Sequence, residues 1–133
     1  MRLEWMATSP DTGRFPALST ESEPEDLVQR FDQLRARGEG YLDIRRAGND
    51  YPALMLGFRG DDAVLHLGSD EQTLSLLRGD GRVTPFDTLE IPTPDGPVEF
   101  TGDVVTGTDK AWAVIDRFVN DQPLDDVGDW IEL

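Results

Sequence analysis

Two segments of the chain carry apolar residues at helical spacing. The stripe of the first segment consists of Leu27, Val28, Phe31 and Leu34. It predicts a helix over about residues 23–37, which begins at a capping box formed by Ser22 and Glu25 and ends at Gly38. The stripe of the second segment consists of Ala111, Trp112, Ile115, Phe118 and Val119. This second helix stops before Pro123, because a proline disfavours helical geometry in the residue that precedes it.

Between these segments the apolar pattern changes to the alternation of a half-buried β-sheet. Four short runs show it, at residues 41–46, 53–58, 63–67 and 73–77, and turns rich in glycine, asparagine and aspartate separate them. Such short connections favour an antiparallel meander, because a parallel pair requires a crossover of about a dozen residues. One face of this sheet should pack on the two helices.

Two further segments lie outside this regular pattern. A short strand is predicted near residues 3–6, ahead of an irregular loop. Residues 83–103 alternate around several prolines. We predict an edge hairpin or an ordered loop there, because proline cannot donate a hydrogen bond inside a sheet.

These elements predict a single α+β domain over residues 1–133, in which an antiparallel meander of about five to seven strands carries two main helices. We expect residues 1–20 to form a partly irregular strand and loop, and residues 121–133 to form an acidic tail that docks on the domain. The chain has no cysteine and no apolar run of signal-peptide or transmembrane length. We therefore expect a cytoplasmic protein that does not enter a membrane.

The charge of the chain is strongly negative and unevenly distributed. Its formal net charge is −15 at pH 7, and residues 83–133 contain 12 acids but only Lys110 and Arg117 as bases. An acidic field repels phosphate backbones and anionic lipids, which argues against direct nucleic-acid or membrane binding, and it attracts a basic protein partner. Two other interpretations stay open: the acidity serves solubility alone, or it is shared by all proteins of the source organism.

Few side chains of the chain are suited to catalysis. His66 is the only histidine and there is no cysteine, so neither a histidine-based triad nor a zinc site is supported. We therefore predict no catalytic residue, no cofactor, no metal site and no enzymatic activity. The 27 acids nevertheless leave one alternative, a small-ligand or divalent-metal-binding enzyme that uses carboxylates on the sheet face. A generic protein-interaction scaffold is a third hypothesis.

Trp130 stands among acids close to the end of the sequence. An aromatic residue rimmed by charge is typical of interface hot spots, which favours a contact with a partner. The alternative is that Trp130 and Ile131 only dock the tail onto the sheet, and both interpretations can hold together. The residues predicted to bind a basic partner are Asp121, Asp125, Asp126, Asp129, Trp130 and Glu132.

The order of these elements resembles the first-numbered family of immunity proteins from bacterial polymorphic toxin systems. The pieces that carry the resemblance are DYPALMLGF at 50–58, DAVLHL at 62–67, RGDG at 78–81, AVIDRFVN at 113–120 leading to QP at 122–123, and WIE at 130–132. The chain departs from the family pattern at 76–78, where LLR stands in place of aromatic residues. It departs again at 120–123, where NDQP stands in place of a Gly-x-Arg-Pro lead to the tail.

The resemblance implies a non-enzymatic inhibitor that binds a cognate toxin domain and neutralises it. In some pairs of this family the toxin belongs to the deaminase superfamily. A toxin that acts on nucleic acid, whether a deaminase or a nuclease, needs a basic surface for its substrate. An acidic inhibitor can cover such a surface, so the resemblance and the charge lead to the same expectation.

Overall fold

A computed structural model describes residues 2–133 of the chain. Within them the strands are β1 (Leu3–Ala7), β2 (Thr20–Ser22), β3 (Glu39–Arg46), β4 (Ala53–Arg59), β5 (Asp62–Gly68), β6 (Leu74–Leu77), β7 (Thr88–Ile91), β8 (Val98–Thr101), β9 (Thr106–Gly107) and β10 (Trp130–Glu132). The helices are α1 (Pro24–Arg37) and α2 (Thr108–Val119), and one 3₁₀ turn spans Gly102–Val104.

The main sheet is antiparallel at every strand pair. Its strand order is β10-β6-β5-β4-β3-β1-β2, and the short strand β9 also pairs with β5. Strands β3 to β6 are neighbours both in sequence and in space, as a meander requires. The predicted fold class is therefore confirmed: the protein is α+β, with two helices and an antiparallel, meander-like sheet of about seven strands.

Both helices cover the same face of the main sheet. Every second side chain of β3 and β4 points to this face, and these side chains are fully buried: Leu42, Ile44, Leu54, Leu56 and Phe58. Phe31 of α1 packs edge-on against Phe58, with 5.5 Å between ring centroids, and it stacks on Trp112 of α2 at 3.9 Å. These ring contacts join the two helices above the sheet, where burial of apolar surface stabilises the fold.

Helix α1 lies almost where the pattern predicted it. Gly38 ends the helix with a φ of 103°, in the left-handed region that favours glycine. The predicted capping box is wrong, because Ser22 belongs to β2 and its hydroxyl accepts a hydrogen bond from Trp5 Nε1 at 2.9 Å. Glu23 occupies the N-cap position without a side-chain capping bond. A buried indole N–H requires an acceptor, so Ser22 serves the core instead of the helix.

The opposite face of the sheet is covered in part by a second, two-stranded sheet. Strands β7 and β8 form a hairpin within residues 83–103, but this hairpin lies across the meander and not at its edge. Its residue Ile91 is buried together with Val64 and Leu76 of the main sheet. Gly57 permits the close approach, since a Cβ at this position would lie 2.5 Å from the carbonyl oxygen of Pro92.

Neither α1 nor α2, the helices of residues 2–133, is long and apolar enough to cross a membrane. They contain 14 and 12 residues, whereas a membrane-spanning helix requires roughly 20 predominantly apolar residues.

The close contact at Gly57 generates a prediction about stability. Gly57→Ala should lower the free energy of unfolding by about 1–3 kcal/mol, because the added methyl group must displace the β7–β8 hairpin. Gly68→Ala is the matched control: Gly68 lies on the same face of the sheet, and its nearest new contact would be Met55 at 3.6 Å. Urea unfolding of both variants measures the difference. Equal stability of the two variants would contradict the packing of the hairpin on β4.

Candidate functional site

The acidic segment, defined as residues 121–133, ends as one edge of the main sheet. It contains five acids and neither lysine nor arginine. Its strand β10 pairs with β6, and further backbone bonds flank this pairing. Leu133 N donates to Leu74 O at 2.8 Å, and Arg78 N donates to Asp129 O at 2.8 Å. The end of the segment is thus an ordered part of the sheet.

Trp130 fastens the acidic segment to the core beneath the helices. Adjacent residues of a strand point to opposite faces, so Trp130 packs against the core on the helix side while Ile131 packs against the cluster on the hairpin side. The Nε1 atom of Trp130 donates a hydrogen bond to Leu124 O at 3.0 Å. Trp130 is half-buried. It therefore docks the segment, and part of its ring stays accessible.

Arg117 of α2 holds the loop that leads into β10. It donates to Pro123 O from Nε at 3.1 Å and from Nη2 at 2.8 Å. The Nη2 atom also donates to Asp126 Oδ1 at 2.9 Å. A guanidinium carries several donors in one fixed plane, so this side chain binds a carbonyl and a carboxylate together. The loop thus presents its acids in a defined conformation.

All five carboxylate side chains of the acidic segment belong to exposed residues. Three of them form ion pairs with arginines of the fold: Asp121 with Arg46 at 3.2 Å, Asp126 with Arg117 at 2.9 Å, and Asp129 with Arg78 at 3.7 Å. Asp125 and Glu132 form no ion pair with any residue of 2–133. Exposed ion pairs contribute only about 0–1 kcal/mol each, so a basic partner can recruit the paired carboxylates at small cost.

Asp121 lies just beyond the end of α2 and shapes the start of the acidic segment. Its φ is 57°, in the left-handed region that aspartate tolerates better than most residues. With Arg46 and Phe118 it borders an open cavity of about 430 Å³. The guanidinium of Arg46 lies 4.2 Å from the centroid of the Phe118 ring and donates to Phe118 O at 3.2 Å. Asp121 therefore has a structural role in addition to its charge.

Directly after β6 the chain carries one exposed acid, Asp80, between the exposed arginines Arg78 and Arg82. Gly79 N donates to Asp103 O at 2.6 Å, and Gly107 N donates to Asp80 Oδ2 at 3.0 Å. Burial disfavours the charged form of Asp80, but hydrogen bonds from backbone N–H groups, that of Gly107 foremost, lower the pKa of its carboxyl overall. Asp80 is thus ionised at neutral pH.

One exposed aromatic residue was not singled out from the sequence. Phe86 is 95% exposed, more than any other large apolar side chain within residues 2–133. The sequence does contain a feature that points to this exposure. Phe86 directly follows Pro85 in a short turn-forming run, and it belongs to no helical or alternating pattern of apolar residues.

The alternative hypothesis, an enzyme with carboxylates on the sheet face, requires acids that converge. Asp43 lies on this face with 14% of its side chain exposed, and Arg45 Nε and Nη2 bind it at 3.1 and 3.2 Å. Within residues 2–133, no three His, Asp or Glu side chains are placed to hold one metal ion.

Under the hairpin, Tyr41 and His66 border a cavity of about 40 Å³. Burial raises the pKa of Tyr41 and lowers that of His66, so both side chains are neutral at pH 7.

No protein-family model and no curated protein matches this sequence. The charges, contacts and exposures of the chain's own residues are therefore the basis for assigning a function.

The contacts of Trp130 predict how strongly it holds the acidic segment. Trp130→Ala should lower the free energy of unfolding by about 1–3 kcal/mol, because it removes the hydrogen bond to Leu124 and leaves a gap against the core. Trp130→Phe keeps a ring and loses the N–H donor, so it should cost about 0.5–1.5 kcal/mol. Asp125→Asn, an exposed change in the same segment, is the control and should stay within about 0.5 kcal/mol. Denaturant unfolding measures all three, and a Trp130→Ala variant as stable as the control would contradict the docking role.

Proposed function

We propose that this protein is an immunity protein, which binds a cognate basic toxin domain and covers the surface with which that domain contacts nucleic acid. The observation that carries the proposal is an acidic segment that contains no base, is ordered by the fold, and exposes five carboxylate residues. An ordered segment loses less conformational entropy on binding than a free tail does. The resemblance of the chain to immunity proteins supports the same function.

Electrostatic attraction is the first step of the proposed inhibition. A toxin that acts on nucleic acid carries Lys and Arg to neutralise phosphates, and carboxylates of the inhibitor meet the same groups. The attraction acts before contact, raises the association rate constant, and is screened by salt. Because the inhibitor only occupies a surface, one copy neutralises one toxin domain.

The acids best suited to contact the toxin domain directly are those with no ion pair, or only a long one, to arginines of the fold. Asp125 and Glu132 form no ion pair within residues 2–133, and the pair of Asp129 with Arg78 is long, at 3.7 Å. Trp130 orients the segment through its packing against the core and its hydrogen bond to Leu124 O. In this proposal the protein catalyses no reaction and acts in the cytoplasm, where the toxin would otherwise reach nucleic acid.

Co-expression tests the proposal directly. Its probe is the C-terminal domain of the large secreted protein that we expect the adjacent gene to encode, called the toxin domain below. The toxin domain alone should stop the growth of a bacterial host, and co-expression should restore growth through a one-to-one complex, measured by light scattering after size-exclusion chromatography. An unrelated protein of similar net charge is the control and should not restore growth. An adjacent gene without such a domain, or a toxin domain that does not bind, contradicts the proposal.

Neutralising the contact carboxylates separates recognition from solubility. The test variant carries Asp125→Asn, Asp129→Asn and Glu132→Gln. The control variant loses the same charge at exposed positions of the N-terminal loop and α1, and carries Asp11→Asn, Glu25→Gln and Asp32→Asn. The test variant should bind the toxin domain with an association rate constant about tenfold lower at low ionic strength, and with a weaker dependence on salt. Equal rates for the two variants in stopped-flow measurements would mean that only net charge matters and that the predicted site is wrong.

A further inference from the structure

Phe86 is an aromatic side chain that the fold leaves almost entirely in water. It is 95% exposed, whereas Ile91, in the strand that follows it, is buried. Single apolar residues on a protein surface are common, so exposure alone carries little weight. The informative feature is the backbone that presents the ring.

The turn that carries Phe86 is held in one conformation by several bonds. Asp87 N donates to Thr84 O at 3.1 Å, and Thr84 Oγ1 donates to Asp87 Oδ2 at 2.5 Å. Gly102 N donates to Asp87 O at 2.9 Å, and a Cβ at Gly102 would lie 2.1 Å from Thr84 O, so the turn rests directly on this glycine. Pro85 restricts the backbone further. A ring on such a preorganised turn loses little entropy when it binds.

The backbone of this turn is connected to the acidic segment by hydrogen bonds. The turn is fastened immediately before Asp103, whose carbonyl oxygen accepts a hydrogen bond from Gly79 N at 2.6 Å. The preceding N–H, that of Arg78, donates to Asp129 O at 2.8 Å. Three backbone hydrogen bonds thus lead from Asp87, which follows Phe86, to Asp129 of the acidic segment. Both of these aspartates are exposed, and the exposed base on this path, Arg78, is paired with Asp129.

We propose that Phe86 is the apolar anchor with which this protein binds the basic toxin domain, and that its ring enters an apolar pocket bordered by Lys and Arg. This inference rests on the proposed function. Charge complementarity selects this occupant, because two copies of a chain with a net charge of −15 repel each other and acidic groups disfavour an anionic membrane. The carboxylates then control association, and the ring controls dissociation.

The test compares Phe86→Ala with Leu18→Ala, which removes another exposed side chain, 82% exposed, from the N-terminal loop. Both variants should keep the Tm of the wild type within about 2 °C, because neither side chain belongs to the core. Phe86→Ala should raise the Kd for the toxin domain about 30-fold, mainly through faster dissociation, and Leu18→Ala should change it less than about twofold. Phe86→Tyr keeps the ring and should retain most of the affinity. Surface plasmon resonance measures both rate constants.

The outcomes distinguish the two proposals. If the wild type binds and neutralises the toxin domain and Phe86→Ala binds equally well, the anchor is wrong and the proposed function stands. If the wild type does not bind the toxin domain, the proposed function is wrong and the anchor with it. Equal losses for Phe86→Ala and Leu18→Ala also overturn the anchor. So does a wild-type dimer in sedimentation that Phe86→Ala abolishes, because the occupant is then a second copy.

Discussion

Two consecutive backbone N–H groups at the end of β6 connect the parts of this protein that carry its charge and its exposed ring. Arg78 N binds Asp129 O, and Gly79 N binds Asp103 O. Successive N–H groups of an extended chain point in opposite directions, so one strand end can serve two neighbours at once. Gly79 is required here, since a Cβ would lie 2.5 Å from the carbonyl oxygen of Val105. These two bonds join the acidic segment and the connection from the hairpin to α2 at one point of the fold.

Coverage of the central strands on both faces restricts where a function can reside. Helices α1 and α2 cover one face, and the β7–β8 hairpin covers part of the other. Two residues whose side chains could take part in catalysis, Asp43 and His66, lie within or beside this covered region. Asp43 is paired with Arg45, and His66 is neutral at pH 7. Among the exposed groups within residues 2–133 are the carboxylates of the sheet edge and its loops and the ring of Phe86. Such a surface is suited to recognition of another protein.

The arginines of the fold order the acidic segment without cancelling its charge. Arg46, Arg78 and Arg117 each pair with one of its acids, and Arg117 also holds the backbone of its loop. Because acids outnumber bases 27 to 12 over the chain, an excess of negative charge persists after every pair is made. Long-range attraction and short-range anchoring can then be assigned to different residues, and each can be changed without disturbing the core.

The sequence by itself determined both helices, the meander and the α+β class. When one face of a helix or strand is buried, apolar residues recur along the sequence with the period of that element. Composition likewise determined the acidity of residues 121–133. Only the tertiary structure decided that Trp130 lies in an edge strand paired with β6, that Ser22 serves the core instead of α1, and that the hairpin of residues 83–103 crosses the sheet. Each of these is a contact between residues far apart in the chain, and a three-residue strand or a single hydrogen bond leaves no repeat in the sequence. The exposure of Phe86 was decided in the same way, since an apolar residue is expected in the core until the packing of the whole fold leaves it outside.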